Sequence, residues 1–233
     1  MIKSLLYFIP FFILFLPNLW VNYILRKHNK VLPEMPFTGN DLGNKILIDQ
    51  EINDVLIQKT KTVDHYNPID KKINISEDKF DKKSITSISV VAHEAGHAIQ
   101  DKINYKPLLI RQKLIAKTQT FQRIGSFLLI IGLPSVFAVT KSPFLTLLAG
   151  IIIMGALTSN TLIHFITLPV EFDASKRALK ILSNYVPAGN MDSCRSVLRA
   201  AAFTYLAQSI ISIFRLKVIL FSLINIFKSI IKR

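Results

Sequence analysis

The stretch Ser89–Gln100 reads SVVAHEAGHAIQ and contains His-Glu-x-x-His inside a segment with helical periodicity. Residues four apart lie on one face of an α-helix, so the imidazoles of His93 and His97 can reach one metal ion. Zinc with three protein ligands keeps a fourth position for water and lowers the pKa of that water to about 7. Glu94 lies beside the metal and can take the proton. The spacing therefore predicts a hydrolytic site.

The surrounding residues favour a helix that begins after Ser84, whose hydroxyl can cap the first turn. The five-residue motif also arises by chance, so alone it leaves open two ordinary histidines on a helix. A third ligand is needed to decide between these interpretations. His93, His97 and Gln100 lie on one face of this helix, because the apolar residues recur at helical spacing on another: Ile85, Ile88, Val91, Ala95 and Ile99.

Composition indicates a membrane protein. Of 233 residues, 50% are hydrophobic, and the mean hydropathy is +0.38, which is unusual for a soluble domain. The formal charge of +14 fits either nucleic-acid binding or basic flanks of membrane segments that face anionic lipid. No nucleic-acid motif is present and much of the basic excess flanks apolar runs. We therefore expect a lipid bilayer, and no nucleic acid, as a partner. The single Cys194 excludes an intrachain disulfide.

Three uncharged apolar runs are candidates for membrane spans. Leu5–Leu25 is long enough to cross about 30 Å of hydrocarbon at about 1.5 Å per residue. It is too long for a signal-peptide core, so residues 1–28 are predicted to be an uncleaved anchor. Basic residues follow it at once, which places the chain from residue 26 onward in the cytoplasm. The runs Ile124–Thr140 and Pro143–Thr167 form a predicted transmembrane hairpin at 124–167, which returns the chain to the same side.

Residues 29–123 have a soluble character and contain two predicted strands before the motif helix. Asp54–Thr62 and Lys71–Ile75 alternate or run β-branched, and the turn-rich segment Asp64–Asp70 separates them. These features predict a two-stranded hairpin. In a peptidase, such an edge strand could pair with an extended substrate. The strands could equally serve only to cover the helix.

The third ligand must come from few carboxylates, because only four follow His97 in the sequence, and Glu171 is the only glutamate among them. Pro169 can occupy the first turn of a helix, so a helix start is predicted there. We expect Glu171 to complete the zinc site from residues 168–208. The alternatives are compensation of the helix dipole without any metal, and a histidine ligand from the apolar hairpin, His164. The four carboxylates are Asp101, Glu171, Asp173 and Asp192.

Two further features leave alternatives open. Asp173 is predicted to support a metal-bound imidazole, whose second nitrogen usually hydrogen-bonds a carboxylate.

Residues 209–233 are apolar, but Arg215 and Lys217 interrupt them at a cost of about 2.5–3.5 kcal/mol each at the centre of a span. A fourth span and an interfacial helix are therefore both consistent with this segment.

Four motifs together carry a family resemblance: DHYNP at Asp64–Pro68, ISED at Ile75–Asp78, AHEAGHAIQD at Ala92–Asp101 and PVEFDAS at Pro169–Ser175. With them the chain resembles the YugP-type neutral zinc metallopeptidases of bacterial membranes, from the N-terminal anchor to beyond residue 199. More distantly it is similar to HtpX-type membrane peptidases, which also place membrane spans between the zinc helix and a downstream glutamate. That family usually has an aspartate where this chain has a serine, at the last residue of the PVEFDAS motif.

The resemblance implies a peptidase of the bacterial cell membrane that binds zinc through His93, His97 and Glu171, with Glu94 catalytic. We expect a mainly α membrane protein whose zincin-like catalytic domain, an active-site helix plus a small β-hairpin, is split by a transmembrane hairpin. Its segments are 1–28, 29–123, 124–167, 168–208 and 209–233.

The expected function is that of a membrane-anchored, multi-pass zinc metallopeptidase that hydrolyses a peptide or protein substrate, with its catalytic domain in the cytoplasm. Stabilisation of the oxyanion requires a further electrophile, for which His65, Tyr66 and Arg177 are candidates by residue type. The alternative is a non-catalytic membrane scaffold with a structural zinc site, which binds lipid or a partner protein. The sequence leaves the substrate and the oligomeric state open.

Overall fold

The computed structural model describes residues 16–132, 135, 139 and 142–231. Most of the predicted anchor lies outside the described residues, and its last part is the helix α1 over residues 16–28. A mainly helical chain with a small sheet follows. Its elements are α2 (Gly39–Asp49), β1 (Leu56–Thr60), β2 (His65–Asn67), β3 (Lys72–Ser76), α3 (Glu77–Phe80), α4 (Ile85–Lys102), α5 (Lys106–Phe127), a π-helical turn (Leu128–Gly132), α6 (Pro143–Leu182), a 3-10 turn (Ala188–Asn190) and α7 (Met191–Ile231).

Side-chain caps set the start of the motif helix and of the helix packed against it. The Ser84 hydroxyl accepts a hydrogen bond from the backbone N–H of Ser87 at 3.1 Å, which caps α4 as predicted. Thr38 and Asp41 form a reciprocal capping box at the start of α2. Helices α2 and α4 then pack together over a core that includes Leu42, Ile46 and Val91, each fully buried.

The predicted two-stranded hairpin is wrong. The sheet has three strands in the order β1, β3, β2, and β1 pairs with β3 in parallel, while β2 pairs with β3 antiparallel. The tight turn belongs to β2 and β3, because the side-chain oxygen of Asn67 accepts hydrogen bonds from the backbone N–H groups of Ile69 and Asp70. Lys71, at φ 52°, completes that turn. As a result, β2 is an edge strand.

The predicted helix start at Pro169 is also wrong. Pro169 lies inside α6, a continuous helix of 40 residues that joins the apolar run to the segment carrying Glu171. Proline lacks the N–H that would bond to the carbonyl four residues earlier. Interruptions of this kind are tolerated in long apolar helices, where neighbouring groups can satisfy the freed carbonyl. Proline at this position therefore does not separate the two segments.

Two helical stretches, Phe144–Leu182 and Ala188–Ser222, are long and apolar enough to cross a membrane. The second shows that the apolar C-terminal segment continues α7 rather than forming a separate helix. The first arm of the predicted hairpin, Ile124–Thr140, is described only in part. Its described residues belong mainly to the end of α5 and the π-helical turn.

The contacts divide the chain into two compact units. Of the described residues, the first contains 16–109 and Leu168–Leu206, and the second contains Ile110–Thr167 together with residues from Ala207 onward. The first unit holds the sheet, the motif helix and the main hydrophobic core. The second unit consists of helical segments from α5, α6 and α7.

Candidate metal centre

Three buried side chains converge in the first unit. The Nε2 atoms of His93 and His97 lie 3.1 Å and 3.4 Å from the same carboxylate oxygen, Oε2 of Glu171. One ligand atom from each residue lies within 4.8 Å of the others. The two imidazole rings are nearly perpendicular, at 85°. All three residues are at most 7% exposed, so they form an enclosed cluster of one carboxylate and two imidazoles.

A close helix contact brings Glu171 to the histidines. A Cβ atom built on Gly96 of α4 would lie 2.7 Å from the backbone oxygen of Ala174 in α6. Any larger residue would collide with backbone there, so glycine allows the two helices to approach. Because Ala174 is three residues after Glu171, this contact is less than one helical turn from the cluster.

The hydrogen bonds of Gln100 determine the tautomer of His97. Gln100 is fully buried, and its Nε2 donates to the carbonyl of Val170 and to Oδ2 of Asp173, both at 2.8 Å. Its Oε1 atom therefore faces His97 Nδ1 at 3.0 Å and must accept from it. In the neutral ring, with its proton on Nδ1, the Nε2 atom of His97 would present a lone pair to a metal ion.

His93 is supported in a similar way. The hydroxyl of Ser175 lies 3.2 Å from His93 Nδ1, again opposite the nitrogen that faces Glu171. Metal-binding imidazoles usually hydrogen-bond an outer partner through the other ring nitrogen. Both histidines meet this condition, and the donor set of two imidazoles and a carboxylate is one that zinc takes in peptidases. The residues therefore fit a zinc ion bound through the two Nε2 atoms and Glu171.

Asp173 contacts the cluster indirectly, through the side chain of Gln100. It accepts from Gln100 and, at 2.6 Å, from Nε of Arg177, so its hydrogen bond reaches His97 only through Gln100. The predicted direct bond from Asp173 to an imidazole is therefore replaced by a chain of three side chains. Sequence reasoning places Gln100 on the face of the histidines but gives it no role. Its position three residues after His97 is the available signal, because residues three apart on a helix are neighbours.

Glu94 is buried beside this cluster and is held by the sheet. Its Oε2 atom accepts a hydrogen bond from the backbone N–H of Tyr66 in β2 at 2.8 Å. Burial raises the pKa of Glu94, the positive charges of both histidines oppose that rise, and the charge of Glu171 adds to it. The resulting pKa is above the ordinary glutamate value. A carboxyl with a raised pKa is suited to accept and return a proton.

The charge of Glu171 also acts on the histidines. Burial alone would lower the pKa of His97, but the hydrogen bond to Glu171 and its negative charge outweigh burial, so the pKa of His97 is raised. Positive charge is thus stabilised at the point where the three side chains meet. A divalent cation would satisfy the same electrostatic demand.

The residues considered for oxyanion stabilisation have polar atoms engaged elsewhere. His65 contacts the Val63 carbonyl through Nδ1 and the Asn74 side chain through Nε2. The Tyr66 hydroxyl donates to Asp101 at 2.7 Å, and burial followed by this hydrogen bond raises the pKa of Tyr66. The Nε atom of Arg177 donates to Asp173, as described above. Within the described residues, the competing ligand His164 does not belong to the three-residue cluster.

Replacing Gln100 with leucine is expected to weaken zinc binding by about 10–100-fold, the usual effect of removing an outer partner of a metal ligand. The substitution removes the acceptor that holds His97 Nδ1 and leaves its volume nearly unchanged. Zinc affinity measured by competition with a chromogenic chelator checks this.

Thr86→Val is the matched control for that substitution. Thr86 is a buried polar residue of α4 whose hydroxyl donates to the carbonyl of Leu25, away from the cluster. It should lower stability without changing zinc affinity. Equal zinc affinities for the wild type and Gln100→Leu would contradict the role given to Gln100.

Comparison with known proteins agrees with this geometry. A family model described as "Putative neutral zinc metallopeptidase" matches residues 4–224. The chain is also 30% identical over 208 residues to the "Putative membrane protease YugP" of Bacillus subtilis (strain 168), covering 85% of this chain and 88% of that protein. No solved structure matches the chain. The family match spans nearly the whole chain and includes all three cluster residues and Glu94, so the chain belongs to the family described as putative neutral zinc metallopeptidases.

Proposed function

We propose that the protein is a membrane-anchored zinc metallopeptidase that hydrolyses peptide bonds with Glu94 as general base. The observation that carries this proposal is the convergence of both histidine Nε2 atoms on one oxygen of Glu171, with the buried Glu94 in electrostatic contact with all three residues. A structural zinc site alone would not require an additional buried carboxyl at Glu94, the residue after the ligand His93. The arrangement thus favours an enzyme over a scaffold.

Zinc held by His93, His97 and Glu171 would act as a Lewis acid toward the scissile carbonyl and toward water. Glu94 accepts a proton from the attacking water as the new C–O bond forms. It then returns that proton to the amine nitrogen as the C–N bond breaks. The backbone N–H of Tyr66 holds one carboxylate oxygen of Glu94 and leaves the other to receive the proton.

The edge strand β2 offers a place for an extended peptide. It lies at one side of the sheet, and the N–H of its central residue points away from β3 toward Glu94. A peptide that paired with this edge would therefore lie beside Glu94. Because the N–H of Tyr66 already donates to Glu94, a peptide at this edge would hydrogen-bond to the remaining backbone groups of the strand.

The chelation of zinc tests the enzymatic function directly. We expect the purified full-length protein to cleave members of a peptide library, to lose this activity when a chelator removes zinc, and to regain it when zinc is returned. Cleavage that survives complete loss of metal would rule out the proposed mechanism. A protein that binds stoichiometric zinc but cleaves no peptide would favour the scaffold.

We also propose a multi-pass location in the bacterial cell membrane with the metal centre on the cytoplasmic side. Two apolar helices long enough to span and the basic residues that flank them support this location. A reporter enzyme that is active only in the periplasm should be inactive when fused near Lys71. Strong reporter activity at that position would reverse the proposed orientation.

A further inference from the structure

All charged side chains of the second unit, apart from histidine, are positive. The segments Ile110–Thr167 and Ala207–Arg233 contain ten lysine and arginine residues and no aspartate or glutamate. All 15 acidic residues of the chain therefore lie in the first unit. No positive charge in the second unit can be neutralised by a carboxylate side chain of that unit. Anions from outside the second unit must therefore neutralise its lysine and arginine side chains.

One of these charges lines a cavity. Residues of α5, α6, α7 and the π-helical turn line an open cavity of about 330 Å³ in the second unit, whose polar lining comes from Gln122, Ser126, Asn160 and Arg215. This volume falls in the range of about 300–1,000 Å³ that is typical of ligand sites. The cavity thus combines one permanent positive charge with three neutral side chains that can donate hydrogen bonds.

Close packing of two helices forms one wall of this cavity. A Cβ atom built on Gly125 would lie 2.2 Å from the Cβ of Ala156, and both residues line the space. The cavity therefore adjoins a contact between α5 and α6 that leaves no room for a larger side chain. Gln122 and Asn160 therefore project into the cavity from two helices held at short distance.

No carboxylate in the described part of the chain lies within ion-pair distance of Arg215. Among the described residues, its side chain makes no hydrogen bond or ion pair, and Asn160 likewise has no side-chain hydrogen bond. An arginine within an apolar helix costs about 2.5–3.5 kcal/mol at the centre of a membrane span unless it is paired or reaches the interface. An anion with several acceptor oxygens would satisfy both side chains together.

We propose that this cavity binds the phosphate group of an anionic phospholipid, with Arg215 as its charged contact and Asn160 and Gln122 as hydrogen-bond donors. Basic pockets between membrane helices bind lipid headgroups in this way, and the guanidinium fork matches phosphate geometry. The inference rests on the membrane location proposed above. It concerns the second unit and is independent of the peptidase chemistry.

The test uses the full-length protein in detergent, stripped of lipid and titrated with phosphatidylglycerol, with bound lipids counted by native mass spectrometry. Arg215→Gln should weaken binding by about tenfold or more, which is the expected loss of a charged hydrogen bond. Lys217→Gln is the matched control: both side chains are exposed and lie two residues apart on the same helix, but Lys217 is outside the lining, so its loss should not change binding. Asn160→Leu should also weaken binding. It tests a second proposed contact in the same cavity.

Equal binding by Arg215→Gln and Lys217→Gln would overturn the proposal, since lipid would then respond only to overall charge. A second arm adds inorganic phosphate. Persistence of bound lipid supports the phospholipid, whereas its displacement assigns the same site to the free anion. Glu94→Gln measured in parallel should bind lipid like the wild type, so a failed peptidase mechanism and a failed lipid site give different results.

Discussion

Replacing Glu94 with glutamine is expected to reduce peptide hydrolysis by roughly 10²–10⁴-fold, the range attributed to a positioned general acid or base, while zinc content stays at the wild-type level. Glutamine cannot take a proton from water, but its oxygen can still accept the hydrogen bond from Tyr66 N–H. Burial disfavours the charged form of Glu94, so a neutral residue of the same shape should not destabilise the fold. Cleavage rates and metal analysis on the same preparation check both halves of this prediction.

Glu34→Gln is the matched control, because it makes the same chemical change at an exposed residue outside the cluster. It should leave both cleavage and zinc unchanged. If Glu94→Gln cleaves peptides as fast as the Glu34→Gln control does, Glu94 is not the general base. If it loses zinc, Glu94 has a role in metal binding that its contacts do not predict.

Replacing Glu171 with glutamine is expected to weaken zinc binding by more than the roughly 10–100-fold typical of an outer partner, and to abolish cleavage with it. Glu171 Oε2 is the atom on which both histidine Nε2 atoms converge. A neutral amide is a poorer zinc donor and removes the negative charge that holds positive charge at this point. Isothermal titration with zinc gives the change in affinity.

Thermal unfolding with and without zinc provides an independent measurement of Glu171→Gln. A ligand that binds only the folded state stabilises it by about 2.7 kcal/mol at a concentration 100 times its dissociation constant. The wild type should show that increase at a zinc concentration where Glu171→Gln shows almost none. An equal increase in both proteins would mean that the third ligand is another residue.

The motif helix and its cap could be predicted because their signals are local. Ser84 precedes an apolar periodic run, and the serine cap and the helix follow from residues within a few turns of each other. The histidine pair could be predicted for the same reason, because its two residues lie four apart on one helix. Glu171 could be selected from a distance only because the sequence after His97 contains so few carboxylates. With so few carboxylates to choose from, Glu171 could be selected without knowing which helices pack together.

Other features depend on packing and could not be predicted. Three short strands allow several pairings, and the position of the turn after Asn67 decided between them. Pro169 is compatible with a helix start and with the interior of a long apolar helix. The contacts that Gln100 and Ser175 make between the helices exist only once α4 and α6 lie together at Gly96, because each side chain joins one helix to the other.

The proposed chemistry depends on a zinc ion held by two imidazoles from one helix and a carboxylate from another. The most direct measurement is the zinc K-edge X-ray absorption spectrum of the purified wild-type protein. We predict two imidazole nitrogens at about 2.0–2.1 Å with oxygen ligands completing the shell. A sulfur ligand at about 2.3 Å, or a protein that retains no stoichiometric zinc, would contradict the claim.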